Sequence, residues 1–197
     1  LEDNAVSRTI YGDEVPGEGG AYSFPIKWLQ GDKVFIASPQ CREDFNEGTF
    51  SVPNSADQQT SAGTLVKKDG AVQWGSTDKA DFYSIYPQHD TSDEVEYRKY
   101  KVKTAAGFSA TNATFELEMP GSQYCSIESK SENDATPVMK SADMHACFMY
   151  AKTTDVQNGT AAVPLQYKPL STAIRFTLRG PENAGTVAVS RIRLIGP

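Results

Sequence analysis

The chain has 197 residues, enough for one sizeable domain, and its nine Phe, nine Tyr and two Trp place it among globular rather than disordered proteins. Its 19 basic and 25 acidic residues give a net charge of −6, which excludes a nucleic-acid-binding protein that depends on a basic face. The longest apolar runs are only a few residues, too short for a helix that spans a bilayer.

Short strands separated by turn residues dominate the first half of the chain. No window of a dozen residues keeps the apolar pattern of a helix, whereas Gly, Pro, Asn, Asp and Ser recur between short apolar stretches. A turn at Gly31-Asp32 opens one strand, and the Asp69-Gly70 pair predicts a type I′ turn that joins two others in a hairpin. An aromatic-rich strand is expected to end at Pro87. The predicted strands cover residues 33–38, 48–52, 63–68, 71–74 and 80–86.

The second half of the chain continues this pattern. Residues 114–119 alternate cleanly between apolar and polar side chains, and the polar residues 126–141 are predicted as a surface loop. Further strands are predicted at residues 95–103, 142–152, 161–167, 172–178 and 186–195. About ten short strands with very little helix predict an all-β fold, an antiparallel β-sandwich. The predicted core consists of large apolar side chains on these strands, namely Phe35, Phe82, Phe115, Leu117, Phe148, Leu165 and Phe176.

Asp143, His145 and Cys147 occupy alternate positions of one predicted strand, so their side chains share one face. A metal site or a Cys/His nucleophile pair could use that arrangement. The interpretation we favour is structural. The residues on the opposite face of the strand, Met144, Ala146, Phe148 and Tyr150, are predicted to form the core, and the face with Asp143, His145 and Cys147 is predicted to meet solvent or a neighbouring sheet. His89 is the second of two histidines, so a His-rich metal site cannot form, and no metal site is predicted.

No other residue pattern supports catalysis. The carboxylates lie in turn and loop contexts, unlike the paired carboxylates that a glycosidase holds about 5–10 Å apart, and no metalloprotease or nucleophile motif occurs. The chain is therefore predicted not to be an enzyme and to need no cofactor. Trp28 and Trp74 could form a platform that stacks on sugars, although in an all-β domain such residues more often fill the core.

Five sequence motifs occur in the order found in the fimbrillins of Bacteroidales, the Mfa-like and FimA-like subunits of type V pili. Residues 28–34 (Trp-Leu-Gln-Gly-Asp-Lys-Val) resemble the family motif Trp-x-x-Gly-Asp-x-Ile/Val, and residues 80–87 are similar to its aromatic strand that ends in Tyr-Pro. Residues 119–123 resemble its Leu-Pro-x-x-Gln turn. Residues 143–151 and 163–176 resemble two later strands of the family. The chain thus resembles the N-terminal domain of a fimbrillin.

This resemblance implies a transthyretin-like fimbrillin domain over residues 21–197, preceded at residues 1–20 by a strand and loop segment in which processing is expected. The second domain of the family is expected to lie outside this chain. The implied function is that of a structural subunit of a bacterial surface pilus, assembled by donor-strand exchange and contributing to adhesion and biofilm formation. The implied location is the cell surface, on a pilus at the outer membrane, after export as a lipoprotein precursor.

The family's maturation protease cuts after Arg or Lys, and Arg8 is the candidate for the activating cut. This residue lies in a short segment between the first predicted strand and a Gly-rich loop, where a protease could reach it. The alternative is an ordinary solvated arginine. Lys27 and Lys33 are competing sites, but they flank the motif at Trp28, which belongs to the folded domain.

The implied partners are other pilin subunits, either identical copies or tip and anchor subunits, and the Arg/Lys-specific protease. The alternative function is that of a surface β-sandwich that binds carbohydrate or another host ligand, as a tip adhesin of the same pilus. Its partners would be host glycans or proteins. Neither function involves nucleic acid.

Overall fold

The computed structural model describes residues 9–12, 14–17, 19, 22–53, 59–60, 62–88, 101–103, 114–116, 126–128, 138–141 and 147–171. All regular elements in these ranges are β-strands, and every strand pairing between them is antiparallel. The prediction of an antiparallel all-β fold is therefore confirmed. In chain order the strands are β1 (Ile10–Tyr11), β2 (Val15–Pro16), β3 (Tyr22–Ser23), β4 (Ile26–Leu29), β5 (Lys33–Ala37), β6 (Asn46–Ser51), β7 (Gln59–Thr60), β8 (Val66–Val72), β9 (Lys79–Tyr86), β10 (Lys101–Lys103), β11 (Thr114–Glu116), β12 (Ser126–Glu128), β13 (Val138–Ser141), β14 (Met149–Gln157) and β15 (Lys168–Pro169).

Six of these strands form a large sheet in the order β15-β14-β9-β5-β6-β8. The strands β1, β4 and β7 form a smaller sheet, and the pairs β2-β3, β10-β11 and β12-β13 form two-stranded sheets. Tyr11, Ile26 and Trp28 of the smaller sheet pack against a buried cluster on one face of the large sheet. The described core therefore lies between β4 and that face, which we call the inner face.

The strand β5 lies in the middle of the large sheet because its sequence is apolar on both faces. Residues 34–37 are all buried. The preceding turn is held by Asp32, whose Oδ2 accepts a hydrogen bond from Leu29 N at 2.7 Å. Gly31 has a φ of 86° in this turn, a conformation that glycine adopts without steric cost. The predicted buried strand and the turn that opens it are confirmed.

The inner face collects the side chains that alternation along neighbouring strands brings together. The predicted core residue Phe82 is buried on this face, and Phe35, on the opposite face of β5, and Phe148 are buried as well, as expected. Leu165 is only half-buried, because it lies in a segment that joins no strand. The side chains of Phe115, Leu117 and Phe176 lie outside the described residues. The buried cluster consists of Val34, Ile36, Cys41, Ala80, Phe82, Tyr86, Cys147 and Met149.

The predicted hairpin turn at Asp69-Gly70 is wrong, because β8 runs straight through this pair. Thr49 of β6 pairs with Asp69, whereas the next residue of β6 pairs with Lys67, so the register shifts by one residue in a β-bulge. Gly70, beside the bulge, has a φ of 63°, a left-handed conformation that occurs in the G1 type of bulge and in type I′ turns. The Asp-Gly signal is therefore real, but the chain uses it inside a strand.

Two other predictions of element type differ from the structure. The region predicted as a loop at residues 126–141 contains β12 and β13, which pair with each other. The predicted strand at residues 161–167 forms no strand. The strands predicted at 95–103 and 114–119 are represented by β10 and β11, which pair along three residues, and those at 172–178 and 186–195 lie outside the described residues.

Candidate functional site

A groove of about 1340 Å³ lies against the inner face of the large sheet and is mostly apolar. One set of lining residues belongs to the sheet itself, another to β4 and residues 62–65, and a third to residues 160–169. The residues of the sheet and of β4 in this lining include Ile26, Trp28, Ile36, Phe50, Val72, Phe82 and Met149. The groove therefore offers apolar contacts on several sides.

The sheet side of the groove follows from the register of the central strands. Ile36 pairs with Ser84, and Phe82 pairs with Thr153, so alternate residues of β5, β9 and β14 point to the same face. Ser84 is a polar residue on this face and is fully buried. Its hydroxyl donates to Phe35 O at 2.7 Å and lies 2.6 Å from the Tyr167 hydroxyl, which satisfies this polar group inside the core.

Aromatic rings that line the groove make edge-to-face contacts with one another and with Tyr86. Trp28 lies 5.1 Å from Tyr86 and 4.9 Å from Tyr167, with interplanar angles of 88° and 73°. Trp74 lies 5.4 Å from Phe82 at an angle of 81°. Both indoles are half-buried against the core cluster, and such edge-to-face pairs stabilise a core beyond the area that they bury.

Residues 161–167, which we call the outer segment, lie along the groove without joining a sheet. Val163, Leu165 and Tyr167 are half-buried, and the residues between them are exposed, so the predicted alternation is present. The predicted backbone pairing is absent from the described residues, in which no hydrogen bond joins the main chain of the outer segment to the main chain of another residue. Side chains hold it instead, since Thr153 Oγ1 donates to Pro164 O and Tyr167 bonds to Ser84.

The two edges of the large sheet differ in their protection. The outermost strand at one edge, β8, carries Lys67, Lys68 and Asp69 and the bulge, features that discourage another strand from pairing. At the other edge, β15 pairs with only Met149 and Tyr150 of β14. Beyond that pair, the described part of the chain places no strand against β14 on the side opposite β9.

A second feature, which we call the socket, surrounds the first described residue of the chain. Thr9 and Asp32 are both fully buried. Thr9 N donates to the Tyr86 hydroxyl at 2.9 Å, and that hydroxyl donates to Asp32 Oδ1 at 3.2 Å. Burial, together with the charge of Asp32, raises the pKa of Tyr86, and the same two causes raise the pKa of Cys147 to about 11.

The socket joins two of the five fimbrillin-like motifs in space. Trp28 and Asp32 belong to the motif at residues 28–34, and both contact Tyr86 of the motif at residues 80–87. Sequence reasoning did not connect these motifs, because the Tyr86–Asp32 contact spans 54 residues. The sequence does contain one signal for this contact: Asp32 directly precedes a buried strand. A carboxylate is tolerated at such a position only when it has a hydrogen-bonding partner.

The sequence-predicted site residues are only partly within the described residues. Arg8 lies outside them, and so do Asp143 and His145. Of the two environments predicted for the Cys147 face, solvent is wrong, because Cys147 is buried in a cluster against which residues of the smaller sheet pack. The register of Met149 opposite Tyr86 turns this face toward the core. On the opposite face Phe148 is buried as predicted, whereas Tyr150 is exposed and is not part of the core. Cys41 and Cys147 are both free thiols.

The described residues contain no group of three or more His, Cys, Asp and Glu side chains that could hold a metal ion. They also contain no helix long and apolar enough to cross a membrane. Lys27 and Lys33, the competing cleavage sites, are both half-buried within strands, a placement that shields a peptide bond from proteases.

Comparison with known proteins identifies no relative. No family model, no curated protein and no solved structure matches the chain. The resemblance to fimbrillins therefore depends on the five sequence motifs, and membership of that family stays a prediction.

Proposed function

We propose that the chain is a structural subunit of a bacterial surface pilus and assembles by accepting a strand from a neighbouring subunit. The observation that carries this proposal is the apolar groove beside the outer segment. Among the described residues, the main chain of this segment forms no hydrogen bond with another main chain. The proposal extends to the partners and location that the resemblance implies: other pilin subunits, an Arg/Lys-specific protease, and the outer cell surface.

Strand addition requires two kinds of contact at once. The main chain of the donor must form hydrogen bonds with an unpaired edge, and its alternate side chains must enter apolar pockets. The outer segment forms no main-chain-to-main-chain hydrogen bond with another described residue, and the half-buried side chains of Val163 and Leu165 line the groove. A donor strand laid beside this segment would place alternate side chains over Ile36, Phe82 and Met149.

The tip-adhesin alternative would require exposed aromatic faces beside polar side chains. Trp28 and Trp74 are half-buried, and they make edge-to-face contacts with Tyr86, Tyr167 and Phe82. This geometry supports core packing better than a flat sugar-stacking platform. The pilus subunit is therefore the function that these contacts support best.

The test is assembly of the full-length precursor after limited trypsin treatment, followed by native gels and light scattering. Leu165→Glu places a charge in the groove, and we expect it to abolish polymers because a buried charge without a partner is strongly disfavoured. Gln166→Glu, one residue away on the exposed side of the outer segment, is the matched control and should polymerise like the wild type. Normal polymers from folded Leu165→Glu protein would refute the proposed use of the groove.

A further inference from the structure

The socket places the backbone nitrogen of Thr9 next to a buried carboxylate. Thr9 N is 2.9 Å from the Tyr86 hydroxyl, which is itself 3.2 Å from Asp32 Oδ1. The nitrogen and the carboxylate can therefore be no farther apart than the sum of these two distances. Thr9, Asp32 and Tyr86 are each at most 1% exposed, so water does not screen whatever charge this nitrogen carries.

An amide nitrogen makes limited use of this environment. As part of a peptide bond, Thr9 N has one hydrogen to donate and no charge, and it already donates that hydrogen to Tyr86. An α-ammonium group at the same place would have three hydrogens and a full positive charge. A buried carboxylate such as Asp32 is stabilised most by a nearby positive charge that also donates hydrogen bonds.

We propose that the socket binds the α-ammonium group of a processed chain that begins at Thr9. This inference rests on the proposed function, because the maturation cut after Arg8 would create that group. Water adds across the peptide bond between residues 8 and 9, which leaves a carboxylate on residue 8 and an amine on Thr9. The amine takes up the proton released by the new carboxyl group, as its ordinary pKa of about 8 allows at neutral pH.

The short strand β1 explains how a buried residue becomes available to a protease. Within the described residues, Ile10 and Tyr11 pair with Lys27 and Ile26, Gly12 N adds one hydrogen bond to Pro25 O at 2.7 Å, and the Tyr11 ring packs against the core cluster. A strand of two residues can open locally at a fraction of the global unfolding free energy. When β1 returns after the cut, the new ammonium group meets Tyr86 and Asp32 and fixes the start of the processed chain.

The test measures chemical protection of the new amine in the full chain. The substitutions Ala5→Ile, Val6→Glu and Ser7→Gly place a factor Xa site before residue 9 and keep Arg8 as the cut residue. The cut is made in low urea, where β1 opens, and the product is refolded by dilution. An amine-reactive ester is then added at pH 7, and mass spectrometry follows labelling of the peptide that begins at Thr9. We expect labelling about tenfold slower in the folded than in the urea-unfolded product, because a buried, ion-paired amine is a poor nucleophile.

Two variants locate the cause of the protection. Asp32→Asn should bring the labelling rate close to that of the unfolded product, whereas Asp69→Asn, at an exposed carboxylate of β8, should not. If Asp32→Asn fails to fold, Tyr86→Phe keeps the ring against Trp28 and removes the bridging hydroxyl, and it should also speed labelling. Equal labelling of folded and unfolded wild type, or undiminished protection in a folded Asp32→Asn or Tyr86→Phe product, would overturn the proposal.

The same samples separate this inference from the proposed function. A protected amine in a product that never polymerises would leave the socket intact and refute the pilus assembly. Polymers that form from a product with a freely labelled amine would refute the socket and leave assembly supported.

Discussion

Tyr86 joins three distant parts of the chain through one side chain. Its ring packs edge-to-face on Trp28, and its hydroxyl bonds both Thr9 and Asp32. The thiol of Cys147 belongs to the same buried cluster. Burial favours the neutral, protonated forms of the Tyr86 hydroxyl and the Cys147 thiol. The folded structure is therefore expected to lose stability at alkaline pH, where these groups lose their protons.

Cys147 should make stability fall as the pH rises above 9. Burial raises the pKa of its thiol from 9.0 to about 11, so between these values the unfolded chain has lost the proton and the folded chain keeps it. The free energy of unfolding then decreases with pH, by about 2 kcal/mol at pH 11. Urea titrations from pH 8 to pH 11 measure this loss.

Cys147→Ala is the comparison for that titration, because it removes the ionisable group and adds no charge. The variant should lose less stability than the wild type between pH 9 and pH 11, whatever its stability at pH 8. Burial raises the pKa of Tyr167 to about 12 and also raises that of Tyr86, so both lower the stability above pH 10, but both tyrosines are present in the two proteins. Parallel curves for the two proteins would contradict the assignment to Cys147.

At the scale of the elements, β6 and β8 approach each other closely at two glycines beside the bulge. A Cβ at Gly70 would lie 2.9 Å from Gly48 Cα and 2.8 Å from Glu47 O. The Oδ1 of Asp69 accepts a hydrogen bond from Gly70 N at 2.8 Å. Gly70 thus combines a positive φ with an approach that a larger residue would obstruct.

Gly70→Ala should lower the free energy of unfolding by about 2 kcal/mol, because it adds a steric clash to the cost of a left-handed alanine. Gly159→Ala is a matched control: Gly159 also has a positive φ, of 82°, but a Cβ there would meet nothing within 4 Å. That variant should lose only about 1 kcal/mol. Equal losses in chemical denaturation would show that the contact with β6 is unimportant.

Local sequence signals predicted the central strands and failed where one signal serves two structures. β5 and β9 were predicted because their apolar runs end at clear turn residues. Asp69-Gly70 reports a left-handed backbone, which occurs in hairpin turns and bulges alike, so the sequence could not distinguish them. The alternation of apolar and polar residues in the outer segment correctly indicated which of its side chains face the core. Whether its main chain also pairs with another strand depends on a neighbour elsewhere in the sequence, and the segment alone does not reveal that neighbour.

At the scale of the whole molecule, the groove and the socket lie on the same side of the large sheet. Both are lined by residues of the inner face, and Trp28 contributes to each. The sequence could not predict this arrangement, because Thr9, Asp32 and Tyr86 are brought together by contacts that span 77 and 54 residues. Thr9 is therefore close to the site proposed for assembly.

Limited trypsin treatment of the full-length precursor should yield a new N-terminus at Thr9. Lys27 and Lys33 are half-buried in strands, so cleavage there should be slower than at Arg8, where only the short β1 must open. N-terminal sequencing identifies the cut, and light scattering follows polymer formation. Arg8→Ala should abolish both, and efficient assembly of the Arg8→Ala protein would contradict the processing site.

Assembly through the groove, as proposed above, would limit the shape of what this chain builds. A donor strand of one copy would enter the groove of the next, so the two surfaces in contact would differ, unlike the identical surfaces that meet in a symmetric dimer. Each contact would then join two different surfaces, one from each subunit, in a head-to-tail arrangement. Head-to-tail contacts that do not close into a ring generate open filaments. Growth by this route is unbranched and proceeds with one polarity along the fibre.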